Sequence, residues 1–208
     1  EYYADRTFLP YNPTLERVAP SGVVDITTDQ YFTTMVYANG EVKTFGLNNG
    51  ALGNGVYVDT SNLDAYKRHV YNPTPVKFIL PPGAKAVLSW TTSNGLNPKN
   101  ANTFVVTSDG RVFGAGSNVT GQLGIGHIGG GTNGIYPTPQ QMLVLGTQGN
   151  LASYVRSGYG TTVVYTNNRK VFTVGNNSNG QLGDDTTTTN PTPRANKNTN
   201  AQRHVKFY

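Results

Sequence analysis

Few residues in this chain are of a type that does chemistry, and their spacing fits none of the standard arrangements. His69, His127 and His204 lie far apart, and no interval between them suits a metal ion or a shared proton relay. Asp184-Asp185 before Thr186 to Thr189 is an oxygen-rich run of the kind that sometimes holds calcium. Gly129-Gly130-Gly131 lacks the Lys-Ser or Lys-Thr step of a phosphate cradle. The chain has no cysteine, which removes disulfides, thiolate nucleophiles and cysteine-held metals. Asn118-Val119-Thr120 and Asn176-Asn177-Ser178 fit the N-glycosylation pattern, each inside a turn. The expectation is a chain with no catalytic, cofactor or metal residues, acting by binding and not as an enzyme.

Residues that make binding hot spots are better represented. Tyr57, Tyr66, Lys67, Arg68 and Tyr71 stand in one long insertion, and Trp90 stands beside a second, Thr92 to Asn100. Tyrosine, arginine and tryptophan on loops dominate interface energetics. These six are the expected partner-contacting residues. The plainer reading is that Tyr57 and Tyr71 cover exposed sheet edges.

The elements that must position them recur three times. Five strand-favouring residues, a tight turn and five more run through Thr33 to Gly46, Thr103 to Gly116 and Thr162 to Gly175. Ala38-Asn39-Gly40-Glu41 and Ser108-Asp109-Gly110-Arg111 mark two-residue hairpins with positive φ at both central positions. The third copy has Asn168-Arg169 instead, so Asn168 is expected to take the left-handed position in the least regular hairpin of the three.

A polar turn and a Leu-Gly pair follow in each copy: Gly50-Ala51-Leu52-Gly53, Gly121-Gln122-Leu123-Gly124 and Gly180-Gln181-Leu182-Gly183. The leucine is expected between neighbouring sheets, with glycine supplying backbone conformations closed to other residues. Pro73-Thr74-Pro75, Pro137-Thr138-Pro139 and Pro191-Thr192-Pro193 then read as edge strands. A further strand precedes each hairpin, which makes three to four short antiparallel strands per unit, the content of a propeller blade. The expected organisation is one repeat region over 1–208, with repeats at about 23–80, 86–143 and 152–197 and partial repeats at 1–18 and 203–208.

These repeats resemble those of the regulator of chromosome condensation family. The match is carried by Asp109-Gly110-Arg111-Val112-Phe113, Gly116-Ser117-Asn118 and Gly121 to Gly124, and by Val171-Phe172, Gly175-Asn176-Asn177 and Gly180 to Asp184. The first copy is weaker, with Ala51 in place of glutamine. The family's usual histidine before the first hairpin strand is Phe32, Asn102 and Thr161 here, and its tryptophan is Phe45, Ala115 and Val174. The resemblance implies an all-β propeller, here an incomplete ring completed by the rest of a longer chain or by a second copy. It also implies action through protein contacts, as in exchange factors for small GTPases, β-lactamase inhibitors and ligase-associated domains.

Composition adds function-level expectations. The net charge of +5 is carried by scattered residues, so nucleic acid is not an expected partner. No run of about eighteen apolar residues exists to span a bilayer as a helix. The opening at Glu1 suggests a processed form or a fragment. A polar composition rich in Thr, Asn, Gly and Tyr suggests an exported bacterial or archaeal surface protein. The leading expectation is thus an extracellular or cell-surface module for adhesion or a filament scaffold. Its alternatives are a carbohydrate-binding module using tyrosine and tryptophan platforms, and an intracellular regulator of exchange-factor or inhibitor type.

Overall fold

The computed structural model describes residues 22–58, 71–94, 97–147 and 149–196. Three four-stranded antiparallel sheets account for their regular structure. The first holds β1 (Val23–Thr28), β2 (Phe32–Tyr37), β3 (Val42–Leu47) and β4 (Tyr71–Lys77). The second holds β5 (Ala86–Asn94), β6 (Asn97–Thr107), β7 (Val112–Ser117) and β8 (Ile135–Gln141). The third holds β9 (Ala152–Gly158), β10 (Thr161–Thr166), β11 (Val171–Gly175) and β12 (Asn190–Ala195). Each is a meander in chain order, and β-branched and aromatic residues dominate its second strand, as in Thr161-Thr162-Val163-Val164-Tyr165-Thr166. The expected partial repeats at 1–18 and 203–208 lie outside the described residues.

The first strands of successive sheets face one another, β1 against β5 and β5 against β9. They are therefore nearest a common axis, and the proline-bearing β4, β8 and β12 are outermost. Two apolar clusters fill the gaps between sheets. Val36, Val42 and Phe78 of the first sheet meet Val105, Phe113 and Ala115 of the second. Phe104, Leu123 and Met142 of the second meet Val155, Val164 and Phe172 of the third. This face-to-face burial is what holds a radial repeat array together.

The hairpins correct two expectations. In each, the donor three residues on bonds back to the strand (Gly40 N–H to Tyr37 O, Gly110 to Thr107, Arg169 to Thr166, 2.8, 2.8 and 3.0 Å). A second bond then runs to the residue after it (Tyr37 N–H to Glu41 O, Thr107 to Arg111, Thr166 to Lys170). Only the third loop residue has positive φ: Gly40, Gly110 and Arg169. These are three-residue loops with a bulge, not two-residue turns. Arg169, not Asn168, takes the left-handed position, because Asn168 Oδ1 instead accepts the Thr166 hydroxyl at 2.6 Å. The third hairpin keeps an unbroken register, as the other two do.

Candidate interaction rim

Strand direction sorts every connection onto one of two rims. Connections from first to second strand and from third to fourth strand emerge at one end, and the β2–β3, β6–β7 and β10–β11 hairpins at the other. The described start of the chain after Leu52-Gly53, the paired ends of β5 and β6 and the stretch 118–134 therefore share one rim. That convergence makes it the candidate site.

The expected contact residues are placed unevenly. Tyr66, Lys67 and Arg68 lie outside the described residues, and Tyr71 opens β4 opposite Leu47. Tyr57 is half-buried, and a methyl group built on Gly50 would lie 3.6 Å from its ring. Trp90 is on β5 and not on a loop; its indole N–H donates to the Ser157 carbonyl at 3.0 Å, across the seam to the third sheet. The Arg156 guanidinium lies 4.3 Å from the Trp90 ring centroid. With its ring face and its donor both engaged, Trp90 is no open platform for a sugar. The second insertion is no loop either, since β5 and β6 extend through it as a longer hairpin, pairing Asn94 with Asn97.

Beside Trp90 runs a cleft of about 270 Å³ lined by Asp25, Thr27, Leu88, Trp90, Tyr154 and Arg156. At its other wall Asp25 Oδ2 accepts the Ser89 N–H at 2.7 Å and the Ser89 hydroxyl at 3.0 Å. Asp29 repeats this with Ser93, accepting the N–H at 2.9 Å. Carboxylates of one sheet thus satisfy backbone donors of the next sheet's innermost strand. Sequence reasoning missed Asp25, Asp29 and Arg156, since nothing in a single strand reveals what faces it across a seam.

The Leu-Gly motif is a joint between sheets. Leu52, Leu123 and Leu182 are fully buried, and Gly53, Gly124 and Gly183 have positive φ. Two residues on, Gly55 N–H donates to Pro137 O and Gly126 N–H to Pro191 O, both at 3.0 Å. The proline steps of the second and third sheets are therefore the landing points of the preceding motifs. Gln122 is buried, its Oε1 accepting the Thr120 N–H and hydroxyl, while Gln181 is exposed.

Buried asparagines anchor these loops. Asn177 Nδ2 donates into Asp184 Oδ1 (3.1 Å), Thr186 O (3.0 Å) and Thr188 O (3.2 Å), and its Oδ1 accepts the Leu182 N–H. The oxygens that suggested a calcium loop thus converge on an amide nitrogen. The Thr186 hydroxyl, more than any other neighbour, holds the Asp184 carboxyl below its ordinary range. Asn118 Nδ2 likewise donates to His127 O and Gly129 O at 2.9 Å. Buried and fully engaged, Asn118 offers no nitrogen for a glycan. His127 lies 3.4 Å from the Tyr136 hydroxyl, while His69 and His204 lie outside the described residues. Among the described residues no cluster of three or more His, Cys, Asp or Glu is placed to hold a metal, and no helix is long and apolar enough to cross a membrane.

These radially arrayed four-stranded meanders, joined motif to strand, define the class: β-propeller blades. No family model matches the chain. A 79-residue stretch is 39% identical to the bovine secretion-regulating guanine nucleotide exchange factor, covering 38% of this chain and 16% of that protein. Among solved structures, Prp20p of Saccharomyces cerevisiae, described with its binding to Gsp1p and histones, matches at TM-score 0.65 and 14% identity over 86% of this chain and 39% of its own. Yeast RCC1 (Prp20) bound to Kap60 matches at 0.62 and 14% identity, covering 86% and 37%. Human WBSCR16 matches at 0.60 and 18% identity, covering 83% and 37%. The chain carries propeller repeats of the regulator of chromosome condensation type. It spans well under half the length of each of these proteins.

These comparisons overturn the extracellular, cell-surface and adhesive expectation, and with it the secreted and bacterial reading. The similar proteins are bovine, yeast and human, one named for nucleotide exchange and another described with histones. They favour the intracellular regulator. The composition has a structural cause instead: glycines take positive φ in the turns, asparagines anchor the loops, and threonines fill the strands. Nothing among them points to a glycan partner. The bovine relative is named for exchange, an effect of binding and not of covalent chemistry.

Proposed function

We propose that this chain is a protein-interaction module of an intracellular regulator, of the exchange-factor type, which contacts its partner through the rim bearing the three insertions. It would act without covalent chemistry, by holding the partner in a state that releases its ligand. Tyr57, Tyr66, Lys67, Arg68 and Tyr71 are the proposed contact residues, with Trp90 fixing the seam behind them. The supporting observations are that the repeat topology brings the first-to-second and third-to-fourth strand connections of all three blades to one end, and that one sequence relative is an exchange factor. The blades are proposed to belong to a larger ring, an arrangement supported by the exposed apolar side chains Val24, Ile26 and Tyr154 on the first strands of the first and third sheets.

The test is release of a fluorescent guanine nucleotide from a panel of small GTPases, with and without the protein. Acceleration for one GTPase, lost in a Tyr57→Ala/Lys67→Ala/Arg68→Ala variant that still folds, is the expected result. Absence of both binding and acceleration across the panel would refute the reading.

A further inference from the structure

The hairpin rim, opposite the insertions, gathers positive charge. Of the eight lysine and arginine side chains described, seven lie at that end: Lys43, Lys77 and Lys85 of the first blade and its exit, Arg111 of the second, and Arg169, Lys170 and Arg194 of the third. Arg156, in the seam, is the eighth. The two carboxylates there are both engaged, Glu41 with Lys77 at 3.9 Å and Asp109 with Arg111 at 2.8 Å. Seven cations less two anions leaves five positive charges along one edge of three blades, scattered in sequence and gathered by the fold.

An apolar cleft opens in the same edge. Between the β2–β3 turn and the connection to β5, about 270 Å³ is lined by Val42, Phe78, Leu80 and Pro81 together with Asn39 and the Lys77-paired carboxylate of Glu41, with exposed Lys77 and Lys85 at its margins. The connection is held against the turn: Ala86 N–H donates to Gly40 O at 3.0 Å, and a methyl group on Gly40 would come 2.6 Å from Lys85 Cβ. The nearby rings are not available for stacking. Tyr37 and Phe113 are buried, with Lys43 and Arg111 placed over them at 5.3 and 5.2 Å.

We propose that the hairpin rim docks an acidic polypeptide segment, whose carboxylates meet the rim cations while an apolar side chain enters the cleft. Charge complementarity selects an anion. The cleft selects a polypeptide, because a phosphodiester backbone has nothing to place there and single-stranded bases need an exposed aromatic face. The surface is distinct from the insertion-bearing rim and stands or falls independently of the exchange-factor reading.

The test is fluorescence anisotropy with the whole protein and two labelled probes: a glutamate-rich peptide with one central leucine, and a duplex DNA. The peptide is expected to bind, and to weaken about tenfold in Lys77→Glu/Lys85→Glu and on raising salt from about 50 to about 300 mM. Exchanging its leucine for alanine is expected to weaken it by about tenfold, since one buried apolar side chain is lost. Arg169→Glu/Lys170→Glu, far from the cleft, is expected to reduce binding less, and Tyr57→Ala on the other rim not at all. All four lysine and arginine positions are exposed, so circular dichroism melts of these variants should match the parent. Tighter binding of DNA than of peptide, indifference to the leucine, or indifference to the Lys77 and Lys85 reversals would each overturn the proposal.

Discussion

The indole nitrogen of Trp90 lies 3.0 Å from the carbonyl oxygen of Ser157, a hydrogen bond that ties the innermost strand of the second blade to that of the third. Trp90→Phe keeps an aromatic ring in the seam but leaves this carbonyl without its donor. A loss of about 1–2 kcal/mol in urea unfolding is expected, and of about 2–4 kcal/mol for Trp90→Ala, which also empties the space under Arg156. Equal stability of Trp90→Phe and the parent would show that the bond ties nothing.

Two residues take positive φ where the other copies have glycine. Arg169 (φ 65°) corresponds to Gly40 and Gly110, and Asp185 (φ 61°) to Gly55 and Gly126. Relieving a left-handed side chain outweighs the added flexibility of the unfolded chain. Arg169→Gly is therefore expected to stabilise the fold by about 0.5–1 kcal/mol, and Asp185→Gly by less, since aspartate tolerates this region better. Thermal melts of both variants check the sign.

Gly53 stands where no side chain fits. A methyl group there would come 2.2 Å from Phe78 Cδ2, at a φ of +63°. Gly53→Ala is expected to destabilise by about 2–4 kcal/mol, like Leu123→Ala, which empties a fully buried site. Chemical denaturation that puts Gly53→Ala within about 0.5 kcal/mol of the parent would contradict the joint described for this motif.

Asn177 is expected to be replaceable by no apolar residue of its size. Asn177→Leu strips donors from Thr186 O and Thr188 O and an acceptor from the Leu182 N–H, at a cost of about 2–4 kcal/mol. Hydrogen exchange at the Leu182 amide should accelerate in that variant and stay unchanged in a surface control such as Lys170→Ala.

The Asp109 carboxyl is lowered from its ordinary 3.8 to about 2, first by its hydrogen bond with the Arg111 side chain and then by the Thr107 hydroxyl. A depressed folded pKa means stabilisation present above the unfolded value and lost as pH falls through the folded one, here between about 3.8 and about 2. The group is largely exposed, so the effect stays below about 1 kcal/mol. Carboxyl-carbon NMR titration should return this pKa toward its ordinary value in Arg111→Ala.

The blades themselves were legible in the sequence because their signals are local. Thr162 to Thr166 is a run of β-branched and aromatic residues such as strands favour, and Leu123-Gly124 recurs with its turn. The hairpin type was misread, because Asn39-Gly40 and Asp109-Gly110 suit both a two-residue turn and a three-residue loop, and only register separates them. The seam partners were invisible. Asp25 and Ser89 are 64 residues apart, joined only by the stacking of sheets. Even so, Gly55, Gly126 and Asp185 sit at one offset from Leu-Gly and offered a signal for the joint. The adhesive reading failed for another reason: composition reports how the blades are built, not where the protein works.

Gly55 reaching Pro137, and Gly126 reaching Pro191, both point forward along the chain. The array accordingly has a direction, and its two ends are not equivalent. Damage to one unit's motif loosens the unit downstream before the one upstream. Trimming from opposite termini should therefore lead to unfolding by different routes.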